Sequence, residues 1–151
     1  MSNKKEIGLA IIGCGTIGRI RAMMAKDYPG ISWIGLCDIN EELGKKLLID
    51  CEADFFTTDY NDLVKRSEVN AVIIATDENH HFGPIMSSLE NESSLFIEKP
   101  LATDLVESRD VLNKIKSTNV DAVLGYTQRF RRRFLAVKQK LMDQKIGHVT
   151  S

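Results

Sequence analysis

Three glycines near the amino terminus have the spacing G-x-G-x-x-G between an apolar run and a helical pattern. The run 7–12 is followed by Gly13, Gly15 and Gly18. Between a strand and a helix, this spacing is the fingerprint of a dinucleotide-binding loop. The first glycine permits a tight turn, the second lets the backbone approach a pyrophosphate, and the third allows close packing of helix on strand. The free N–H groups of the helix start would then face the phosphates.

A carboxylate follows at the distance from this loop that ribose recognition needs. A second apolar run, 31–37, ends at Asp38, about twenty residues beyond Gly18. An acid at this position accepts hydrogen bonds from the adenosine ribose hydroxyls and repels a 2′-phosphate, so the sequence predicts NAD rather than NADP. The alternative is a glycine turn and a solvated aspartate, which any doubly wound protein could contain.

Polar or ionisable residues also follow the later apolar runs. They occupy 75–81, 98–100 and 125–130. In an open parallel sheet, ligands bind beyond the carboxyl ends of the strands, where the strand order reverses. These residues are therefore expected to share one rim with the glycine loop and Asp38.

The elements that would position these residues alternate between strand and helix. The β-branched run 70–75 is typical of a strand buried on both faces of a parallel sheet. Ile17, Ile20 and Met24 recur at helical spacing. The other predicted strands are 7–12, 31–38, 53–56, 94–97 and 120–124, and the predicted helix N-caps are Asn40, Asp59 and Asp104. The sequence therefore predicts an α/β fold, a Rossmann-type doubly wound parallel sheet.

Composition limits the classes of partner. The 151 residues are 43% hydrophobic and 27% charged, with a formal net charge of −1. This balance gives no reason to expect a nucleic acid or a membrane as partner, and no apolar run reaches membrane-spanning length. The arginines at 129 and 131–133 are interpreted as a solvated helix face rather than a nucleic-acid patch.

The cysteines indicate the redox compartment. Cys14, Cys37 and Cys51 have neither C-x-x-C spacing nor an even count. They are interpreted as buried thiols in a reducing compartment, which predicts a cytoplasmic protein. No metal site is predicted.

Taken together, the motifs resemble those of the Gfo/Idh/MocA (glucose–fructose oxidoreductase/inositol dehydrogenase) family. The resemblance covers the whole chain, and the motifs that carry it are GCGTIGRIRA, LCDIN, VIIATDENHH, IEKPLA, GYTQRF and IGHVTS. It implies an NAD-binding domain of an enzyme that transfers a hydride between a nicotinamide cofactor and a hydroxyl or carbonyl carbon of a sugar, inositol or related polyol. The sequence departs from the family at Asp77, where proline is common.

The resemblance also implies roles for individual residues. Lys99 of the EKP motif would lie beside the nicotinamide and the reacting hydroxyl as the catalytic acid–base group. A lysine in a dry cleft can have its pKa lowered toward that task; the alternative is a surface lysine in salt contact with Glu98. Of the adjacent His80 and His81, at most one should line the cleft. Together, the motifs and the resemblance assign cofactor binding to Gly13, Gly15, Thr16, Ile17, Gly18, Asp38, Ala75, Thr76, His81, Glu98, Lys99, Gln128 and Arg129.

The carboxyl-terminal stretch predicts a domain boundary. Residues 1–125 are expected to form the dinucleotide-binding domain. Residues 126–151 would supply a basic connecting helix over 130–144 and, from 146, the start of a strand of a truncated second domain. By resemblance, that second α+β domain binds the substrate, carries the remaining catalytic pair and mediates homo-oligomerisation in the full-length protein. The chain is thus expected to be an inactive fragment of a dehydrogenase; the alternative is a stand-alone NAD-binding sensor without turnover.

Overall fold

A six-stranded sheet in the order β3-β2-β1-β4-β5-β6 organises the chain. The structure is a computed structural model that describes residues 6–147. Every strand pair in this sheet is parallel. The strands are β1 Ile7–Ile12, β2 Ile31–Cys37, β3 Phe55–Thr57, β4 Ala71–Ile74, β5 Ser94–Glu98 and β6 Ala122–Gly125. The helices are α1 Thr16–Lys26, α2 Glu41–Asp50, α3 Tyr60–Val64, α4 Phe82–Glu90, α5 Leu105–Ser117 and α6 Arg132–Met142.

Helices cover the two faces of the sheet unequally. Alternate residues of β1 point to opposite sides, so Leu9 and Ile11 belong to one core while Ala10 and Ile12 belong to the other. Helices α1 and α2 pack on the first face, and α3, α4 and α5 contribute to the second. The sheet reverses its order between β1 and β4, which places the topological switch point beside the glycine loop. The predicted fold class is confirmed.

The predicted helix starts are present. The side chain of Asn40 accepts a hydrogen bond from the N–H of Leu43, and Asp59 accepts one from Asn61. Asp104 accepts bonds from the N–H groups of both Val106 and Glu107. Each cap satisfies backbone donors that the first helical turn leaves without partners.

Small residues, rather than the spaced large ones, pack α1 on the sheet. The buried positions of α1 are Gly18, Ala22 and Ala25. Of the larger apolar side chains that predicted the helix, Ile17 is 45% exposed and Met24 is 66% exposed. The helix must lie close to the sheet here because Gly18 contacts the glycine loop itself. The spacing therefore predicted the helix but not its buried face.

Beyond β6 the chain leaves the sheet. A short 3-10 turn, Thr127–Phe130, leads into α6, which has no buried residue. Ile146 lies in a turn and Gly147 is irregular. The rest of the strand expected from 146 onward lies outside the described residues.

Candidate functional site

The three motif glycines differ in backbone conformation and in how closely neighbouring atoms approach them. Gly13 has a φ of +99°, and an added Cβ would lie 2.5 Å from the Ala75 carbonyl group. At Gly18 an added Cβ would lie 1.7 Å from the carbonyl oxygen of Gly13. At Gly15 an added Cβ would meet no atom of residues 6–147 within 4 Å. The fold itself therefore explains Gly13 and Gly18 but gives no reason for a glycine at position 15.

The space at Gly15 lies at the amino end of α1, where backbone donors are available. Within the part of the chain that the structure describes, no side chain caps this helix, and its first turn contains no acidic residue. By contrast, α2 has the Asn40 cap and two glutamates in its first turn. The exposed Thr16 and Ile17 form the first turn of α1. Uncapped N–H groups and the positive end of a helix favour an anion, so this end fits the pyrophosphate of a dinucleotide.

Asp38 is fixed against the glycine loop. Its Oδ2 accepts a hydrogen bond of 2.6 Å from the backbone N–H of Cys14, and its Oδ1 accepts one of 2.8 Å from Asn40. The residue is half-buried at the end of β2. Carboxylate oxygens have more than one acceptor direction, so Asp38 can hold the loop and still accept from ribose hydroxyls.

The thiol in the glycine loop is a weak nucleophile. Cys14, Cys37 and Cys51 are all buried and free. Burial, with a smaller contribution from the Asp38 carboxylate, raises the pKa of the Cys14 thiol to about 12, and burial raises that of Cys37 to about 12 as well. A raised thiol pKa keeps the group neutral at physiological pH, which lowers its nucleophilicity.

Lys99 lies at the carboxyl end of β5, next to Glu98, which forms an ion pair with another residue. Glu98 pairs with Arg21 of α1, whose Nε donates to Glu98 Oε1 over 2.9 Å. The Arg21 guanidinium also lies over the ring of Phe96, 4.9 Å from its centroid. The salt contact between Lys99 and Glu98, considered from the sequence, is therefore replaced by a pair with Arg21. The Lys99 side chain is exposed on the rim.

Arg21 is a structural residue of the rim that no sequence motif predicted. No local pattern singles out Arg21, because its partner Glu98 lies 77 positions away in the chain. The side chains of Arg21 and Glu98 are 21% and 12% exposed. The pair thus joins α1 to the strand end that presents Lys99.

The loop after β4 is held by internal hydrogen bonds. Ala75 is buried, and the Thr76 hydroxyl donates to the carbonyl oxygen of His80 over 3.2 Å. Asp77 accepts from the N–H of Asn79 and caps the short 3-10 turn Glu78–His80. Asp77 thus gives the loop its turn.

The two adjacent histidines occupy different environments. His80 is exposed, whereas His81 is only 1% exposed. The Nδ1 atom of His81 lies 2.7 Å from the carbonyl oxygen of Pro100, and its Nε2 lies 3.3 Å from that of Thr76. Its ring nitrogens therefore face the backbone of two rim loops instead of the open cleft.

Gln128 and Arg129 lie at the same edge of the sheet, but farther from the switch point. They belong to the 3-10 turn after β6, and β5 separates β6 from β4. Both are exposed, and the Arg129 guanidinium lies 5.4 Å from the centroid of the Tyr126 ring. The structure thus brings the glycine loop, Asp38, Thr76 and Lys99 to neighbouring strand ends and sets this pair at the margin.

Family comparison agrees with this arrangement. The sequence model of an oxidoreductase family, GFO_IDH_MocA, described by its NAD-binding Rossmann fold, matches residues 7–126. The chain belongs to this family. NAD is accordingly its cofactor, and the predicted Gfo/Idh/MocA membership is confirmed.

Relatives within the Gfo/Idh/MocA family have different activities. The scyllo-inositol 2-dehydrogenase (NAD(+)) of Bacillus subtilis is 25% identical over 143 residues, which are 94% of this chain and 42% of that protein. The 2,7-anhydro-N-acetylneuraminate hydratase of Mediterraneibacter gnavus is 27% identical over 147 residues, 96% of this chain and 38% of that protein. The chain thus spans about two fifths of the length of these relatives.

A solved structure shows the same fold. The scyllo-inositol dehydrogenase of Lactobacillus casei, with bound cofactor NAD(H) and scyllo-inositol, superposes with a TM-score of 0.89 at 24% identity. The match covers 97% of this Gfo/Idh/MocA chain and 44% of that one. Among residues 6–147, no helix is long and apolar enough to cross a membrane, and no group of three or more His, Cys, Asp or Glu side chains could hold a metal ion.

Proposed function

We propose that this chain is the cofactor-binding part of an NAD-dependent dehydrogenase that acts on a CH–OH group of an inositol, a sugar or a related polyol. The substrate class is supported by the inositol dehydrogenase among its relatives. The nicotinamide of NAD supplies the hydride acceptor, and this chain supplies the groups that bind and orient it.

One observation carries the proposal: the only motif glycine that the fold does not require lies at an uncapped helix start, next to a fixed carboxylate. An added Cβ at Gly15 meets nothing within 4 Å, and Asp38 is hydrogen-bonded to Cys14 in the same loop. A phosphate approaching the backbone explains the glycine, and a ribose explains the acid. In this proposal Gly13, Gly15, Thr16, Ile17 and Gly18 hold the pyrophosphate, and Asp38 holds the adenosine ribose.

We assign the nicotinamide end to the loops after β4 and β5. Ala75 and Thr76 would border the ring, with Glu98 and Lys99 on its other side and Gln128 and Arg129 at the substrate mouth. Oxidation of a carbinol requires that its hydroxyl proton be taken up, and Lys99 is the proposed acid–base group beside that hydroxyl. Because Arg21 already neutralises Glu98, Lys99 is available to hydrogen-bond a substrate oxygen.

The proposal also includes a domain boundary, a second domain and a cellular location. We place the boundary of the dinucleotide-binding domain near residue 125, supported by the match over 7–126 and by the absence of buried residues in α6. Substrate-binding walls and homo-oligomer contacts would belong to a second domain. Three buried free thiols support a cytoplasmic location.

Cofactor preference tests the proposal directly. Because the Asp38 carboxylate repels a 2′-phosphate, we expect NAD⁺ to bind at least tenfold more tightly than NADP⁺, a difference of about 1.4 kcal/mol. Titration calorimetry with both cofactors measures it. In Asp38→Asn, which keeps an acceptor oxygen for the loop N–H but loses the charge, the preference should fall below about threefold. Equal affinities in the wild-type chain would contradict the ribose assignment.

A further inference from the structure

We infer that His81 is a positioning residue that fixes the loop carrying Thr76 relative to the loop carrying Lys99, rather than a residue that touches the cofactor. The inference rests on the proposed function, because it takes these two loops to flank the nicotinamide. Nothing in the G-x-G-x-x-G or EKP motifs requires such a link.

The ring of His81 is placed to join backbone to backbone. Its Nδ1 lies 2.7 Å from the Pro100 carbonyl oxygen, one residue beyond Lys99, and its Nε2 lies 3.3 Å from the Thr76 carbonyl oxygen. A carbonyl oxygen can only accept, so the shorter contact requires a proton on Nδ1. Since the residue is 1% exposed, water cannot readily replace this donor. A neutral ring with its proton on Nδ1 donates only to Pro100, so this hydrogen bond is the bridge between the loop after β4, which contains His81, and the loop after β5.

A second, weaker contact joins the same two loops nearer the solvent. The hydroxyl of Thr103 lies 3.4 Å from Oδ1 of Asn79, and both residues are exposed. The Thr76 hydroxyl in turn donates to the His80 carbonyl, next to the bridging ring. Of these two side-chain links between the loops, the one made by His81 is the shorter and the buried one.

The chemical consequence concerns the nicotinamide end alone. The pyrophosphate and adenosine are assigned to the glycine loop and Asp38, neither of which contacts His81 through the hydrogen bonds of its side chain. Loss of the bridge should therefore weaken binding of NAD⁺ but not of ADP-ribose, which lacks the nicotinamide. A defect in overall folding would instead weaken both ligands.

The test uses the 151-residue chain with His81→Phe, which keeps an aromatic ring but donates no hydrogen bond, and His81→Gln, which retains a donor. We expect His81→Phe to lower NAD⁺ affinity about tenfold and ADP-ribose affinity less than twofold, with His81→Gln recovering at least part of the NAD⁺ loss. Amide hydrogen exchange should quicken over 76–80 and 99–103 and stay unchanged over 13–18. His80→Phe, at the exposed neighbour, is the matched control and should resemble the wild type.

The wild-type chain provides a measurement that needs no variant. Nitrogen-15 shifts of the ring should show a proton on Nδ1 of His81; a ring protonated on Nε2 alone overturns the bridge. Equal losses of NAD⁺ and ADP-ribose, or unchanged exchange in both loops of His81→Phe, also overturn it. If the wild type binds neither ligand, the proposed function fails, while the ring tautomer and the exchange rates still decide whether His81 links the loops.

Discussion

At the scale of single residues, glycines that share one motif are present for different physical reasons. Gly13 needs its left-handed backbone, with φ at +99°, and Gly18 needs the absence of a Cβ against the Gly13 carbonyl. Gly15 has a φ of −65° and a ψ of −166°, an extended conformation that other residues adopt readily. Because neither conformation nor packing requires a glycine at position 15, the approach of a ligand is the remaining reason for it.

Substitution of Gly15 should separate binding from folding. Gly15→Val places a branched side chain where the pyrophosphate must approach, so we expect at least a hundredfold loss of NAD⁺ affinity, about 2.7 kcal/mol. Because the added Cβ meets nothing within 4 Å, the free energy of unfolding should change by less than about 1 kcal/mol. Calorimetry and urea denaturation measure the two quantities.

The matched control lies three residues along the chain. In Gly18→Ala the added methyl group would lie 1.7 Å from a backbone oxygen, so this variant should lose stability by about 1–3 kcal/mol as well as affinity. Wild-type NAD⁺ affinity in Gly15→Val would show that this loop does not hold the phosphates.

At the scale of elements, an ion pair links helix α1 to the carboxyl end of strand β5. Arg21 lies on α1, one turn beyond the predicted phosphate-binding end, and pairs with Glu98 beside Lys99. The pair is more enclosed than the ion pair between Arg19, also on α1, and Asp50 of α2, whose side chains are 56% and 30% exposed. The two pairs therefore allow enclosed and exposed contacts to be compared within one helix.

Replacing each arginine in turn should lower the free energy of unfolding by different amounts. Arg21→Met leaves a largely enclosed carboxylate without its partner, and we expect the free energy of unfolding to fall by about 2 kcal/mol. Arg19→Met should change it by less than about 1 kcal/mol because water screens that pair. Urea denaturation measures both variants, and adding Glu98→Gln to Arg21→Met should recover part of the loss. An equal loss of unfolding free energy in the two variants would argue against an enclosed pair of Arg21 and Glu98.

The sequence predicted elements better than it predicted contacts between them. Strand-helix alternation, the three polar N-caps and the placement of the polar loops on one rim follow from local patterns, and all appear in the structure. The partner of Glu98 and the burial of His81 could not be predicted, because both depend on residues distant in the chain: Arg21 is 77 positions from Glu98, and Pro100 is 19 from His81. The buried face of α1 was missed because close packing favours alanine and glycine over the larger residues that dominate a periodicity.

At the scale of the whole molecule, the first face of the sheet is covered only in part. A groove of about 520 Å³ lies between α1 and the later strands, lined by Met24, Tyr28, Ile73, Phe96 and Val123 among others. Val123 is 54% exposed on β6, and Phe130 and Phe134, at the start of the carboxyl-terminal segment, are 73% and 48% exposed. Exposed apolar surface of this kind favours association, so we expect the isolated chain to self-associate as its concentration rises.

Turnover should require more of the protein than this chain contains. Orientation of the carbinol carbon against the nicotinamide can supply roughly 7–11 kcal/mol of the barrier. Lys99 can offer a hydrogen bond or accept a proton, but one exposed side chain on a rim cannot fix a polyol with several similar hydroxyls. We therefore expect residues 1–151 to bind NAD⁺ and to produce no NADH with a panel of inositols and aldoses, measured by absorbance at the nicotinamide band. A protein extended to the length of its relatives should turn over at least one of them. Robust NADH production by the purified chain, lost in Lys99→Ala, would instead show that residues 1–151 already contain every catalytic group.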